Sequence, residues 1–189
     1  MTAARPAYEE AAAALPSQEH LNADETGTKE NNTKAWLWTF VARTFTVFAV
    51  RTSRAATAVD EFLTSTFCGI VTCDRAKMYW RVGRIQWCWA HLKRDFQGLI
   101  DRGDPQARRL WHEGIEPTNN AGERALRHAV IWRKLSFGTQ SANGSRFVET
   151  MLTVIETCRQ QRRNTLEYLT ATMVAHFAGR PAPSLLPRA

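Results

Sequence analysis

An α/β fold is predicted from the sequence: a mixed β-sheet flanked by helices, with a C-terminal helical extension. Short runs rich in β-branched and aromatic residues occupy the first half of the chain, as in 44–50 and 69–74, and such runs favour strands. In the second half, apolar residues recur at helical spacing, as in 145–162. A block of strands followed by a block of helices is the order expected of one sheet with helices packed against it.

Five strand segments are predicted from residue type and alternation. They cover 20–27, 35–42, 44–50, 69–74 and 84–90. The Asn31-Asn32-Thr33 turn separates the first two, and a hairpin around Ala42-Arg43 joins the second to the third. Threonine alternates with apolar residues in the third segment, whereas the fourth is the β-branched run expected of a buried strand. The strands therefore come in a group of three, followed by two more after a helix.

Helices are predicted where capping residues and apolar spacing agree. They cover 8–15, 55–65, 91–100, the stretch around Glu123, 145–162 and 164–177, with a short helical turn at 76–80. The first is rich in alanine and ends at Pro16, the second is capped by Ser53, and the last begins at Asn164 with Glu167 as its capping partner. The helix over 145–162 is amphipathic, and its apolar residues are Phe147, Met151, Leu152, Val154, Ile155 and Cys158.

These elements divide the chain into four parts. They are an N-terminal helical segment at 1–19, a core at 20–135, C-terminal helices at 136–178 and a flexible proline-containing tail at 179–189. Within the core, 102–116 is polar and contains glycine and proline, which is typical of a linker.

Charge is spread unevenly along the chain, which has 189 residues and a net charge of +7. Lys and Arg outnumber Asp and Glu most clearly in 75–109 and 120–165, which favours a polyanionic partner; an ordinary solvated surface is the alternative.

No apolar run reaches the roughly 20 residues that span a bilayer, and the N-terminus has no signal-peptide core, so we expect a cytoplasmic protein without a membrane partner. Its four cysteines are then expected to be reduced thiols.

Three acids are brought to one edge of the sheet by the predicted elements. Asp24 ends the first strand, Asp74 ends the fourth, and Glu123 lies on a late helix. Converging carboxylates repel each other unless cations bind between them, and such oxygen ligands suit Mg²⁺ or Mn²⁺. Two ions held in this way assist an in-line phosphoryl displacement, which is the ribonuclease H-like nuclease arrangement. A purely structural alternative stays open, because Glu123 also suits a capping box with Asn120 or an ion pair with Arg127.

Four blocks of this sequence resemble the insertion-sequence-66 transposase family, and they occur in family order. They are Asp24-Glu25-Thr26, Cys73 to Tyr79, Cys88 to Phe96, and Thr118 to Arg127. The likeness extends to Arg133-Lys134 and to the Gly138…Ser141…Gly144 loop. It implies a ribonuclease H-like fold and a transposase that cleaves and transfers DNA strands with Mg²⁺ or Mn²⁺ as cofactor. By position, the resemblance makes Asp24, Asp74 and Glu123 the catalytic, metal-binding carboxylates of a DDE site.

The chain departs from the family pattern at three points. Arg75 stands where the family usually has glycine, and we expect this cation either to disturb the turn or to pair with Asp74. The connection at 102–116 is shorter than the family's helical insertion, and no segment corresponds to the family's N-terminal DNA-binding and zinc-binding parts. We therefore expect a truncated catalytic core that binds metal but transfers strands weakly or not at all. An inactive remnant that folds and binds DNA or an intact transposase is the second hypothesis.

Basic side chains near the three acids are candidates for holding DNA phosphates. They are His91, Lys93, Arg94, Arg124, Arg127, Arg133 and Lys134. The alternative is a solvated helix surface. Trp80 and Trp132 are candidates for stacking on bases, with a core position as the alternative. The expected partners are DNA and either further copies of the chain or an intact transposase.

A zinc site is a separate alternative. Cys68, Cys73, Cys88 and His91 have a spacing compatible with one. Because Cys73 and Cys88 fall in predicted core strands, where free cysteine is common, buried thiols are the favoured interpretation.

Overall fold

A computed structural model describes residues 3–63, 66–103, 120–136 and 138–187. Its centre is a five-stranded sheet in the order β3-β2-β1-β4-β5. The strands are β1 (His20–Glu30), β2 (Thr33–Val41), β3 (Thr46–Arg51), β4 (Ile70–Cys73) and β5 (Ile85–Trp87). The first three are antiparallel neighbours, while β4 runs parallel to β1 and β5 parallel to β4. The predicted fold class, a mixed sheet flanked by helices with a C-terminal helical extension, is confirmed.

Six helices surround the sheet in the described residues. They are α1 (Arg5–Ala13), α2 (Ala56–Phe62), α3 (Trp89–Asp101), α4 (Asn120–Ser136), α5 (Ala142–Gln160) and α6 (Thr165–Phe177). Short 3₁₀ helices occur at Leu15–Ser17 and Lys77–Arg81. The predicted cap at Asn164 is confirmed, since its side chain accepts hydrogen bonds from the amides of Leu166 and Glu167. None of the helices in the described ranges is both long and apolar enough to cross a bilayer.

The first strand is longer than predicted. It continues through Gly27 to Glu30, because Asn31 and Asn32 both adopt positive φ, of 47° and 55°, and so form a two-residue turn that keeps β1 paired with β2. Asp24 therefore lies within β1 and not at its end, which corrects the prediction. Pairing with β4, however, extends only as far as Asn22 opposite Thr72, so Asp24 still lies beyond the end of that ladder.

The start of α3 also differs from the prediction. Trp89 and Ala90 were assigned to a strand, but β5 ends at Trp87 and α3 begins at Trp89. The amides of His91 and Leu92 both bond to the carbonyl of Cys88, which turns the chain into the helix directly after the strand. The predicted linker at 102–116 lies almost wholly outside the described residues.

Two apolar cores cover the two faces of the sheet. On one face, α1, α2 and the 3₁₀ helix at Lys77–Arg81 pack against side chains that include Trp38, Phe40 and Val71. On the other face, Ala125 and Ala129 of α4 pack against a cluster that includes Leu37 of β2. Alternate residues of β2, such as Leu37 and Trp38, thus face different layers.

Polar side chains of α5 seal the outer edge of β3. Thr157, Thr153 and Glu149 accept hydrogen bonds from the amides of Thr46, Phe48 and Val50, at 3.0, 2.9 and 2.7 Å respectively. Acceptors four residues apart on a helix are spaced by about 6 Å, and alternate amides of a strand by about 6.7 Å. The two spacings match closely enough for helix side chains to occupy positions that a sixth strand would otherwise take.

Because α5 bonds to the edge of β3, the buried residues of α5 include polar ones. Glu149, Thr153 and Thr157 are buried, whereas Phe147 and Ile155, which belong to the predicted apolar face, are exposed. The amphipathic pattern therefore predicted the helix and the burial of Val154 and Cys158, but not the burial of the polar residues that face β3.

Glu149 also joins three elements through charge. Its side chain is only 3% exposed; Oε1 accepts from Arg51 at 2.8 Å as well as from the Val50 amide, and Oε2 accepts from Arg5 of α1 at 3.2 Å. A buried carboxylate with charged and main-chain donors on both oxygens has its desolvation offset. The N-terminal helix is thereby held to β3 and α5.

Candidate metal site and nucleic-acid interface

Asp24 and Asp74 occupy matching positions on neighbouring parallel chain segments. The last paired residues of the parallel β1–β4 ladder are Asn22 and Thr72, and each acid follows two residues later. Both acids therefore lie beyond the same end of this ladder. Their convergence stays a prediction.

Each carboxylate is held by a nearby main-chain amide. Oδ1 of Asp24 accepts from the amide of Glu25 at 2.8 Å, and Oδ1 of Asp74 accepts from the amide of Ala76 at 2.8 Å. The second bond closes a turn directly after β4. Both acids are only partly buried, which leaves this end of the sheet accessible from solvent.

Glu123 is the third predicted acid. Glu123 lies in the first turn of α4, but its side chain is outside the described part of the chain. Helix α4 packs on the face of β1 that carries Asp24: Arg133 donates to Oγ1 of Thr26 at 3.0 Å and to the carbonyl of Gly27, and Thr26 shares a face with Asp24. Glu123 therefore belongs to the helix that covers the acid-bearing face, and its role as a ligand stays a prediction.

Carboxylate oxygens on two adjacent segments suit a hard divalent cation. No group of three His, Cys, Asp or Glu side chains placed to hold a metal ion occurs among the described residues, and the Glu123 side chain is not one of these. Asp24 and Asp74 are oxygen ligands of the kind that Mg²⁺ or Mn²⁺ prefers, and a metal site at these residues stays a prediction.

Arg75 does not pair with Asp74 as expected. Its guanidinium instead contacts Asp95 of α3, and the turn after β4 is closed by the bond between Asp74 and Ala76. Both partners of the Arg75–Asp95 pair are about half exposed, so the pair adds little stability. Its effect is to direct the Arg75 cation toward α3.

Glu25 was not singled out in the sequence, yet it is the most deeply buried acid near the site. Its side chain is 1% exposed, and it accepts hydrogen bonds from the Tyr79 hydroxyl at 2.6 Å and from Nε of Arg54 at 2.9 Å. Burial raises the pKa of the Glu25 carboxyl, as does the charge of Asp74, while the bonds from Tyr79 and Arg54 act in the opposite direction. The alternation of side chains along a strand could have indicated the burial of Glu25, because two consecutive acids in one strand face opposite sides of the sheet.

Burial also governs the other titratable groups beside the acids. It raises the pKa of the Cys73 thiol to about 12, with further contributions from Asp74 and Glu25. The pKa of the Tyr79 hydroxyl is raised well above its usual value by burial and by Glu25, so this hydroxyl stays protonated and acts as a donor. Cys73 and Cys88 are buried, as expected of core thiols, and Cys68 is exposed.

Comparison with known protein families decides the relationship. The model of the family described as "Transposase IS66 family" matches residues 1–116, more than half of the chain. The chain belongs to this family. Asp24 and Asp74 lie inside the matched residues, whereas Glu123 lies beyond them.

Comparisons with individual proteins add little to the family assignment. No curated protein matches the chain. Two solved structures of the HTLV-2 integrase catalytic core domain in complex with magnesium, in trimeric and dimeric forms, are 12% and 13% identical to it, with TM-scores of 0.31 and 0.30. Each comparison covers 70% of this chain. It covers 96% of the integrase chain in the trimeric form and 97% in the dimeric form. A likeness this distant bears on neither the site nor the activity.

The basic residues proposed for DNA contact in this transposase-family chain differ in their surroundings. Arg94, Arg124, Arg127 and Lys134 are exposed, and the side chain of Lys93 is outside the described part. Arg133 is partly buried and uses its guanidinium to join α4 to β1. His91 is partly buried at the start of α3, and its Nδ1 has no hydrogen-bond partner among the described residues. Their contact with DNA stays a prediction, as does base stacking by Trp80, whose side chain is 59% exposed.

Proposed function

We propose that this chain is the core of a DDE-type transposase that cleaves and transfers DNA strands with Mg²⁺ or Mn²⁺. Asp24, Asp74 and Glu123 are the proposed metal ligands. The observation that supports the proposal is the parallel pairing of β1 with β4, since Asp24 and Asp74 both follow the same end of that ladder in a chain of the IS66 transposase family. A bound divalent ion supplies positive charge for the attacking and leaving oxygens of a phosphoryl transfer.

The protein's own contribution is to hold the ligands and the DNA. Main-chain amides orient the carboxylates of Asp24 and Asp74, so that oxygens are presented at the accessible end of the sheet. Arg75 is paired with Asp95 and not with Asp74, which removes one argument for a disabled site. Exposed arginines on α4 then suit the phosphates of DNA lying across that end.

A non-catalytic function remains the second candidate. The connection between Asp101 and Asn120 is shorter than the insertion that the family resemblance implies. A chain with less surface for clamping DNA is expected to bind metal and DNA while transferring strands poorly. In that case it acts by binding DNA or by joining an intact transposase.

One experiment separates these functions. Melting curves of the purified chain are recorded with MnCl₂ and with EDTA, beside nicking of a supercoiled plasmid and joining of a labelled oligonucleotide. We expect Mn²⁺ to raise the melting temperature and to support nicking, with weak strand joining. A melting shift without any nicked or joined product would favour the non-catalytic candidate. Absence of a shift would contradict the metal site itself.

DNA binding is expected to be mainly electrostatic, and its salt dependence tests the role of α4. Each phosphate contact contributes about −0.9 to the slope of log K against log salt concentration. We expect Arg124→Ala to make this slope shallower by about 1, as measured by fluorescence anisotropy with a labelled duplex. Arg180→Ala, which removes an exposed cation after α6, is the control and should leave the slope unchanged. Equal slopes for the unmodified chain and Arg124→Ala would exclude this phosphate contact.

A further inference from the structure

A path made alternately of hydrogen bonds and covalent bonds connects the carboxylate of Asp24 to that of Asp74. It passes through Glu25, Tyr79 and Ala76. We infer that Tyr79 and Glu25 are positioning residues, which fix the separation of the two acids without touching the metal or the DNA. The inference rests on the proposed function, because it concerns the same metal site.

The first half of the path runs through Glu25, whose amide and side chain make hydrogen bonds on opposite faces of the sheet. Its amide donates to Oδ1 of Asp24 at 2.8 Å, on the face covered by α4. Its side chain points to the opposite core, where Oε2 accepts from the Tyr79 hydroxyl at 2.6 Å. A displacement of the Glu25 side chain is therefore transmitted through its own main chain to Asp24.

Tyr79 supplies the second half through the 3₁₀ helix at Lys77–Arg81. The amide of Tyr79 donates to the carbonyl of Ala76 at 3.2 Å, and the amide of Ala76 donates to Oδ1 of Asp74 at 2.8 Å. The segment that follows Asp74 is thereby tied to the strand that carries Asp24. This is a connection between the two acids additional to the pairing of β1 with β4.

The central contact of the path, between Glu25 and Tyr79, is buried. Tyr79 is fully buried and makes an edge-on contact with Trp38, with ring centroids 6.2 Å apart. Arg54 bonds to the other oxygen of the Glu25 carboxylate at 2.9 Å, so both of its oxygens are held. Because water does not readily replace a hydrogen bond lost at a buried position, removing the Tyr79 hydroxyl breaks the link between Glu25 and the segment that follows Asp74. Partners that orient metal ligands in this way commonly change metal affinity by about 10–100-fold when they are altered.

The experiment compares Tyr79→Phe with Tyr168→Phe. Each variant removes one buried hydroxyl; that of Tyr168 donates to the carbonyl of Pro183 at 2.7 Å, away from the acids. In the metal-free protein, exchange of the Glu25 and Ala76 amides is followed by NMR. We expect both amides to exchange faster in Tyr79→Phe and at the original rate in Tyr168→Phe.

Titration calorimetry with MnCl₂ then measures the effect on the metal site. The Kd for Mn²⁺ is expected to rise about tenfold in Tyr79→Phe and to stay unchanged in Tyr168→Phe. Unchanged amide exchange in Tyr79→Phe, or an unchanged Kd in a chain that binds Mn²⁺, would overturn the positioning role and leave the proposed function intact. Absence of Mn²⁺ binding by the unmodified chain would overturn the proposed function, and the metal-positioning role with it.

Discussion

Replacing Glu149 by alanine is expected to lower the free energy of unfolding by about 3–5 kcal/mol, because removal of one partner from a buried, hydrogen-bonded ionic cluster is strongly destabilising. The substitution leaves two cations, Arg5 and Arg51, without their shared carboxylate, and it leaves the Val50 amide without an acceptor. Urea denaturation monitored by circular dichroism measures the loss.

Two further variants test whether the loss of stability is specific to Glu149. Thr153→Val removes only the acceptor for the Phe48 amide and is expected to cost about 1–3 kcal/mol. Glu19→Ala alters an exposed acid and should stay within about 0.5 kcal/mol of the unmodified chain. A loss for Glu149→Ala no greater than that for Glu19→Ala would show that α5 does not hold the edge of β3 in this way.

Asp24→Asn is expected to abolish the stabilisation by Mn²⁺. At a metal concentration about 100 times Kd, binding to the folded state contributes about 2.7 kcal/mol. For a chain of this size, each kcal/mol corresponds to about 2–4 °C in melting temperature, so the unmodified chain should gain about 5–10 °C. Asparagine keeps the shape of the side chain and an acceptor for the Glu25 amide, but it lacks the charge that attracts the cation.

The control for this experiment is an exposed acid that takes no part in the proposed site. Glu19→Gln removes the charge of such an acid, so its melting shift should equal that of the unmodified chain. Glu123→Gln should behave like Asp24→Asn and supplies the test of the third ligand. Retention of the full shift in Asp24→Asn would remove this residue from the metal site.

The order of elements was predictable because the strands and helices carry strong local signals. Runs such as 44–50 and 69–74 are rich in β-branched residues, and the cap at Asn164 lies where its sequence pattern indicates. The end of β1 was not predictable in the same way. Its last residues are polar and contain a glycine, and they form a strand because the Asn31-Asn32 turn and the pairing with β2 hold them there.

The part of the candidate site that follows local strand signals was also predictable. Asp74 follows a short buried strand, and its position could be inferred from that run alone. The burial of Glu25 depends on Tyr79 and Arg54, which are distant along the chain, and a sequence pattern does not show such a pairing. The burial of the polar face of α5 depends likewise on amides of β3 that lie about a hundred residues earlier, with separations of 99–111.

That separation has a consequence for synthesis on the ribosome. The three-stranded antiparallel part of the sheet is complete once Arg51 has emerged, but the acceptors for its outer amides arrive only with Glu149, Thr153 and Thr157. Until then the nascent chain presents an open strand edge, which is a template for pairing with other chains. The interval before α5 docks is thus the period of greatest aggregation risk. Truncation before residue 149 would make that exposure permanent.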